Sequence, residues 1–127
     1  GTLLTVTVID VRPDTGRNAV IGAVGLGCDA GDAVIDVSFR DVAAVVTVAA
    51  PPTLTIGDGP LALDAWAATD DGWRLSGAEA AATLAQLHST VRLEIAPPEG
   101  AAGAFPLHLA FAFLAPAVTE MRQRCGF

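Results

Sequence analysis

Residues 19–39 have the sequence AVIGAVGLGCDAGDAVIDVSF, in which two apolar runs flank the turn-forming residues DAGD at 29–32. Apolar side chains in the second run occupy every other position, at Ile35, Val37 and Phe39. Because successive side chains of a β-strand point to opposite faces, this alternation predicts a half-buried strand. The segment therefore predicts an antiparallel hairpin.

The same rhythm of short apolar runs and Gly, Asp or Pro turns extends over most of the 127 residues. It predicts strands at 3–11, 19–28, 34–39, 42–48, 53–56, 61–67, 73–75, 90–95 and 107–114. Hairpin turns join most neighbouring strands, so the sheet should be antiparallel. We expect a single, mainly β domain spanning 1–127, built as an antiparallel β-sandwich or a closed barrel of about eight strands.

Two segments have helical character. Ser76 and Glu79 have the spacing of a capping box, with Ser76 as N-cap, and they precede a run of good helix formers. This predicts one central helix at about 77–88. A proline near the start and a glycine just past the end predict a short C-terminal helix at 116–124.

The glycines of residues 22–27 occur in the order GxxGxG and precede a turn and a strand. A dinucleotide-binding motif needs GxGxxG followed by a helix, whose N-terminus holds the phosphate. We therefore interpret these glycines as a place where the strand bends or where another backbone approaches closely.

Charge and composition exclude several functions. The net charge is −7, and all seven basic residues are arginines. Lysine-dependent Schiff-base and P-loop chemistry are therefore excluded, and no basic face is expected for nucleic acid. The sequence contains no apolar span of 18 residues, so no transmembrane segment is predicted. The chain has no lysine and a single asparagine, which indicates a GC-rich bacterial genome, and we expect an actinobacterial source.

Two cysteines, Cys28 and Cys125, leave two alternatives open. They form a disulfide if the chain folds in an oxidising compartment, which would imply a secreted or envelope location. Otherwise they are two buried thiols of a cytoplasmic protein, the location we take as the default. The two cysteines and the two distant histidines do not have the spacing of a zinc site. The acidic turns match no calcium-binding loop, so we expect no metal and no cofactor.

Four residues are candidates for binding a small molecule. His108 alternates with large apolar residues on a face otherwise made of alanines, which leaves room for a ligand or for a packed helix. Asp64 and Trp66 share one face of the strand expected at 61–67, and Trp73 follows an acidic turn. For each of them, ordinary structural packing is the alternative interpretation.

Two functions fit these observations. The first is a non-enzymatic protein-interaction or assembly module that acts through an apolar sheet surface, as a homo-oligomer or with a protein partner. It rests on an apolar fraction of 52% and on the absence of a catalytic motif. The alternative is a small barrel or sandwich that binds an apolar small molecule, as a carrier or as a cyclase or isomerase.

Overall fold

A computed structural model describes residues 2–12, 17–40, 45–46, 49–57, 59–87, 92–98, 107–110 and 115–126. In chain order, these residues form the strands and helices β1 (Thr2–Arg12), β2 (Arg17–Asp29), β3 (Asp32–Arg40), β4 (Val45–Val46), β5 (Thr53–Ile56), β6 (Gly59–Pro60), β7 (Trp66–Ala68), β8 (Trp73–Ser76), α1 (Ala78–Ala85), β9 (Arg92–Ala96), β10 (Leu107–Ala110) and α2 (Ala115–Cys125).

The strands form two antiparallel sheets. Sheet A has the order β1-β2-β3-β8-β7, with β4 paired to the end of β3. Sheet B has the order β10-β9-β5-β6. The mainly β, antiparallel prediction is thus confirmed, and the closed barrel is wrong because, among the described strands, those that end the two sheets do not pair with each other.

The hairpin of residues 19–39 forms the centre of sheet A. β2 and β3 are joined by Ala30 and Gly31, which have φ angles of 50° and 86°. Two positive φ angles give a turn whose twist matches that of the flanking strands. Val24, Leu26, Ile35, Val37 and Phe39 from these strands are buried and form much of the core.

One strand prediction differs from the structure, and two others lie partly outside the described residues. The segment 61–67 is not one strand, because residues 61–65 leave the sheet and only Trp66 begins β7. The reason is that the Glu79 carboxylate accepts hydrogen bonds from the N–H groups of Asp64 and Ala65, which therefore do not pair with a neighbouring strand. Of the segment 42–48 only Val45–Val46 is described, and of 107–114 only Leu107–Ala110.

The first helix is present, but its predicted capping box is wrong. Gly77 is the N-cap and makes no side-chain cap, while Ser76 is the last residue of β8. The Glu79 carboxylate instead accepts hydrogen bonds from the backbone of the segment before β7. The helix Ala78–Ala85 lies within the predicted 77–88, whose last residue is outside the described ones.

The C-terminal helix α2 forms as predicted and closes one end of the core. Val118 and Met121 are 4% and 3% exposed, so this face of the helix is buried. Arg122 donates hydrogen bonds to the carbonyl oxygens of Leu84 and Leu87 at the end of α1, where the helix dipole favours a cation. α2 is thereby joined to α1 through a charged side chain.

A disulfide holds the other side of α2. Cys28 in β2 and Cys125 at the end of α2 are bonded, with Cα atoms 5.8 Å apart. The bond spans 97 positions of sequence and places the end of α2 beside β1 and β2. The structure thus has the disulfide form of the two alternatives that the sequence leaves open.

Candidate functional site

β1 is an edge strand with two different faces. Among the described residues its hydrogen-bonded neighbour is β2 alone. Leu3, Thr5 and Thr7 are exposed on the outer face, whereas Leu4 and Val6 are half-buried on the inner face. Leu3, 44% exposed, is the large hydrophobic side chain that the described part of the chain leaves in solvent.

The register of sheet A shows which backbone groups of β1 point away from the sheet. Asp29 and Asp32 flank a two-residue turn and therefore form a hydrogen-bonded pair. Such pairs alternate along an antiparallel ladder, so odd-numbered residues of β2 bond to β3 and even-numbered ones bond to β1. Leu26 lies opposite Leu4 and Val24 lies opposite Val6. The even-numbered residues of β1 are thus bonded to β2.

The odd-numbered residues of β1 consequently direct their N–H and C=O groups outward. These residues are Leu3, Thr5 and Thr7. The pattern continues as far as Val8, after which the register with β2 shifts. Backbone groups that point away from a sheet edge are a template for another strand.

A polar groove lies beside this edge on the outer face of sheet A. Its volume is about 350 Å³, and it is lined by Leu3, Thr5, Ala23, Gly25, Asp36, Val37, Ser38, Thr69, Asp70, Asp71 and Arg74. A Cβ atom at Gly25 would lie 3.4 Å from Cβ of Asp36. Because this glycine has no side chain, the bottom of the groove between β1 and β3 stays open.

An ion-pair network lies in this groove. Arg74 donates from Nε to Asp36 Oδ1 at 2.6 Å and from Nη2 to Asp36 Oδ2 at 2.8 Å, and from Nη1 to Asp29 Oδ2 at 2.9 Å. The hydrogen bonds to Asp36 and then to Asp29 raise the pKa of Arg74 above its ordinary value. Among the lining side chains three carboxylates face one guanidinium, so the groove has an excess of two negative charges.

The turn between β7 and β8 forms one wall of the groove. The N–H of Thr69 bonds to the carbonyl of Gly72 at 2.8 Å, and the Thr69 hydroxyl accepts from the N–H of Gly72 at 3.1 Å. A Cβ atom at Gly72 would lie 2.0 Å from the carbonyl oxygen of Val37. Only glycine lets this turn approach β3 so closely.

A second, smaller cleft lies on the inner side of the same edge, between β1 and α2. Its volume is about 180 Å³. It is lined by Leu3, Leu4, Ala117, Glu120, Met121 and Arg124. Glu120 and Arg124 form an ion pair of 2.7 Å at its rim, and the other four residues are apolar. The edge of β1 is therefore flanked by the polar groove on one face and, on the other, by a smaller cleft that has both an ion pair and apolar side chains.

The four residues proposed as ligand contacts lie in different places. Trp66 and Trp73 lie on neighbouring strands, opposite Leu75 and Val37, and both pack against the core. Asp64 is exposed, and its N–H bonds to Glu79. His108 belongs to sheet B, where its backbone lies opposite Glu94. The structure thus places the two tryptophans on neighbouring strands of sheet A and His108 in sheet B.

Sequence reasoning missed both the edge and the ion-pair network. Asp36 was recognisable as a polar position on a half-buried strand, but its partner Arg74 is 38 residues away. Nothing in the local sequence indicates that β8 lies beside β3. The edge position of β1 likewise depends on the strand order, which local patterns do not specify.

Within the described residues, no group of three or more His, Cys, Asp or Glu side chains is arranged to hold a metal ion. Neither described helix is long and apolar enough to cross a membrane. Comparisons with protein families, with curated proteins and with solved structures found no match to this chain.

Proposed function

We propose that this protein is a non-enzymatic interaction module that accepts a β-strand from another polypeptide along the edge of β1. The observation that carries the proposal is the outward direction of the backbone groups of Leu3, Thr5 and Thr7 at the end of sheet A. Strand addition derives its affinity from such main-chain hydrogen bonds and its specificity from pockets for alternate side chains.

The edge lacks the features that normally prevent strand pairing. Sheet proteins protect exposed edges with charged side chains, proline or bulges. Residues 2–9 contain no charged residue and no proline, and the first charge is at Asp10. The irregularity in the β1–β2 pairing follows Val8, so it leaves the first seven residues of β1 regular. An unprotected stretch of this length favours an added strand.

The surroundings of the edge suit side chains on both faces of an added strand. Leu3 and Thr5 belong to the lining of the polar groove, so side chains on the outer face of an added strand would lie beside that groove. Side chains on its inner face would lie beside the cleft between β1 and α2.

A probe peptide tests the proposal directly. The probe has the sequence of residues 2–8 flanked by two lysines at each end, and the control peptide carries prolines in place of Thr5 and Val6. We expect the probe to slow amide hydrogen exchange at Leu3, Thr5 and Thr7 by about tenfold or more, because these amides gain hydrogen bonds. The control peptide should have no effect.

Amides of Leu4 and Val6 are the internal reference, because they are already bonded to β2. Their exchange should change much less than that of the odd-numbered amides. Protection of the odd-numbered amides by the probe, or by the protein itself at high concentration, supports strand addition. Rapid exchange at all three amides under both conditions contradicts it.

We also propose that the two sheets are the layers of a sandwich. Buried residues of sheet A, such as Leu26 and Ile35, belong to one core cluster with Leu54 and Ile95 of sheet B. A single apolar cluster shared by two sheets is the usual arrangement of a β-sandwich. This arrangement leaves β1 at the boundary of a layer, where an added strand extends sheet A.

The disulfide supports folding in an oxidising compartment as part of the same proposal. Bonds such as Cys28–Cys125 form and persist in secreted and envelope proteins and are rare in the cytosol. Thiol titration of protein kept oxidised from its source should find no free thiol without reductant. Two titratable thiols in that material would contradict this location.

A further inference from the structure

We infer that the strand accepted by β1 carries lysine or arginine on its outer face, and that this basic side chain extends into the polar groove. The inference rests on the proposed function and names the chemistry of its partner, a basic extended segment of another polypeptide. Three features of the outer face support it. They are the direction of the added side chains, an exposed apolar surface at the edge and the charge of the groove.

Side chains of an added strand would alternate between the two faces of sheet A. Directly opposed residues of neighbouring strands have their side chains on the same face of a sheet. Residues opposite Leu3 and Thr5 would therefore lie on the outer face, where Leu3 and Thr5 line the polar groove. Every second side chain of the added strand is thus placed on the face that carries the groove.

The bottom of the groove is open between the edge and the ion-pair network. A Cβ atom at Gly25 would have Leu3 Cδ2 at 3.9 Å and Asp36 Oδ2 at 3.8 Å. Only the space above this glycine therefore separates the edge leucine from a carboxylate. The cationic end of a long side chain that extends past β1 comes within a Debye length, about 8 Å at physiological salt, of the groove carboxylates.

Leu3 provides an apolar surface for the stem of such a side chain. It is 44% exposed and lines the groove at the edge of the sheet. Lysine and arginine bury their methylene groups against apolar surfaces and keep the charged end in a polar environment. A basic residue beside Leu3 would therefore cover the leucine with its stem and place its charge in the groove.

Two carboxylates of the groove are available to a cation. Asp70 and Asp71 are exposed in the turn between β7 and β8, and within the described residues neither carboxylate has a hydrogen-bond or ion-pair partner. Asp36, by contrast, is bonded to Arg74. A cation from the added strand would therefore neutralise the excess charge of the groove without displacing an existing ion pair.

This charge distribution discriminates among possible strands. An acidic strand would bring like charges to a groove that already has an excess of two negative charges. A second copy of β1 has no charged residue in positions 2–9 and would leave that excess uncompensated. The basic strand is the partner whose charge complements the groove.

Three peptides that differ only in charge test the inference. They have the sequence TVXVXVT, in which X is lysine, glutamine or glutamate, so they differ only in side chains on one face. Slowed amide exchange at Leu3, Thr5 and Thr7 of the full chain measures the binding of each peptide. At low salt we expect the lysine peptide to bind at least about tenfold more tightly than the glutamate peptide, with the glutamine peptide between them. This difference should largely disappear in about 0.5 M salt.

A double variant tests whether the preference arises in the groove. Asp70→Asn combined with Asp71→Asn removes two groove charges, and asparagine is also suited to a turn. The matched control, Asp32→Asn combined with Asp64→Asn, removes two charges at exposed positions that do not line the groove. The ratio of lysine-peptide to glutamate-peptide affinity should fall at least about threefold in the groove variant and change little in the control.

The outcomes separate this inference from the proposed function. Equal binding of all three peptides overturns the basic partner and leaves strand addition standing, whereas no protection by any peptide overturns both. A preference for lysine that the two double variants reduce equally comes from the net charge of the chain and contradicts the groove. Protection that appears without peptide and is unchanged by the lysine peptide identifies a second copy as the occupant, which also contradicts the inference.

Discussion

Replacing Gly72 by alanine tests the packing of the turn that forms one wall of the polar groove. A Cβ atom there would lie 2.0 Å from the carbonyl oxygen of Val37 and 3.1 Å from Cα of Ser38. Both atoms belong to the backbone of β3, which cannot rotate away as a side chain can. The turn must therefore move by more than 1 Å to reach an ordinary contact distance of about 3.4 Å.

The free-energy cost follows from the hydrogen bonds that such a movement breaks. The turn has two bonds between Thr69 and Gly72, and it leads directly into the pairing of Trp73 with Val37. Each hydrogen bond contributes about 1 kcal/mol net, so losing two or three of them lowers the free energy of unfolding by about 2–3 kcal/mol. A glycine-to-alanine change in a favourable place would have stabilised the protein slightly.

Urea denaturation of wild type and Gly72→Ala measures this loss. Gly59→Ala is the matched control, because its added Cβ would meet only the carbonyl oxygen of Ile56, at 3.6 Å. We expect the control to stay within about 0.5 kcal/mol of the wild type. A Gly72→Ala protein with the same stability as the control would refute the close approach of this turn to β3.

Three further predictions concern stability. Ala30→Asn should raise the free energy of unfolding by about 0.5–1 kcal/mol, because Ala30 has φ 50° and Asn-Gly is the preferred pair for this turn. Thermal or urea denaturation measures the gain, and a loss would contradict the turn geometry. Arg74→Met should cost about 2 kcal/mol, because it leaves Asp36 and Asp29 without their shared partner at a site that is one-third exposed. Because pairing raises the pKa of Arg74, its stabilisation is complete below the ordinary arginine value and is lost only above it. The difference from wild type should therefore be the same at about pH 7 and pH 10, and a difference that shrinks over this range would contradict the pairing. Reduction of the disulfide should lower stability by about 4 kcal/mol, as expected for a cross-link that closes a loop of this length. Denaturation with and without reductant measures that effect, and equal stability in both would contradict it.

The local sequence pattern was sufficient to predict the two strands and the turn at the centre of sheet A. The turn at 29–32 and the alternation through Ile35, Val37 and Phe39 predicted the β2–β3 hairpin and its buried face, because these features depend on residues close in sequence. The C-terminal helix was predictable for the same reason, since proline and glycine mark its limits. The closed barrel, one of the two predicted alternatives, is wrong, and the sequence left both open because strand patterns do not specify which edges pair.

Tertiary contacts overrode the local signals elsewhere. Ser76 and Glu79 have capping-box spacing, but Glu79 binds the N–H groups of Asp64 and Ala65, 15 and 14 residues earlier. That single contact removed the predicted cap and also interrupted the predicted strand at 61–67. Arg74 shows the same limit, because its carboxylate partners are 45 and 38 residues away and meet it only through the order of strands.

The high apolar content predicts an apolar sheet surface, and the structure shows where part of that content lies. Residues from both sheets and both helices form a single buried cluster, while Leu3 is the exposed large hydrophobic side chain of the described residues. Within the described residues, large apolar side chains other than Leu3 therefore lie in the core or are at least partly buried. Among the described strands β1 is one of those that end a sheet, and its outward backbone groups are a stronger reason for association than one exposed leucine. The proposed strand addition therefore relies on main-chain pairing along β1 and not on an apolar face.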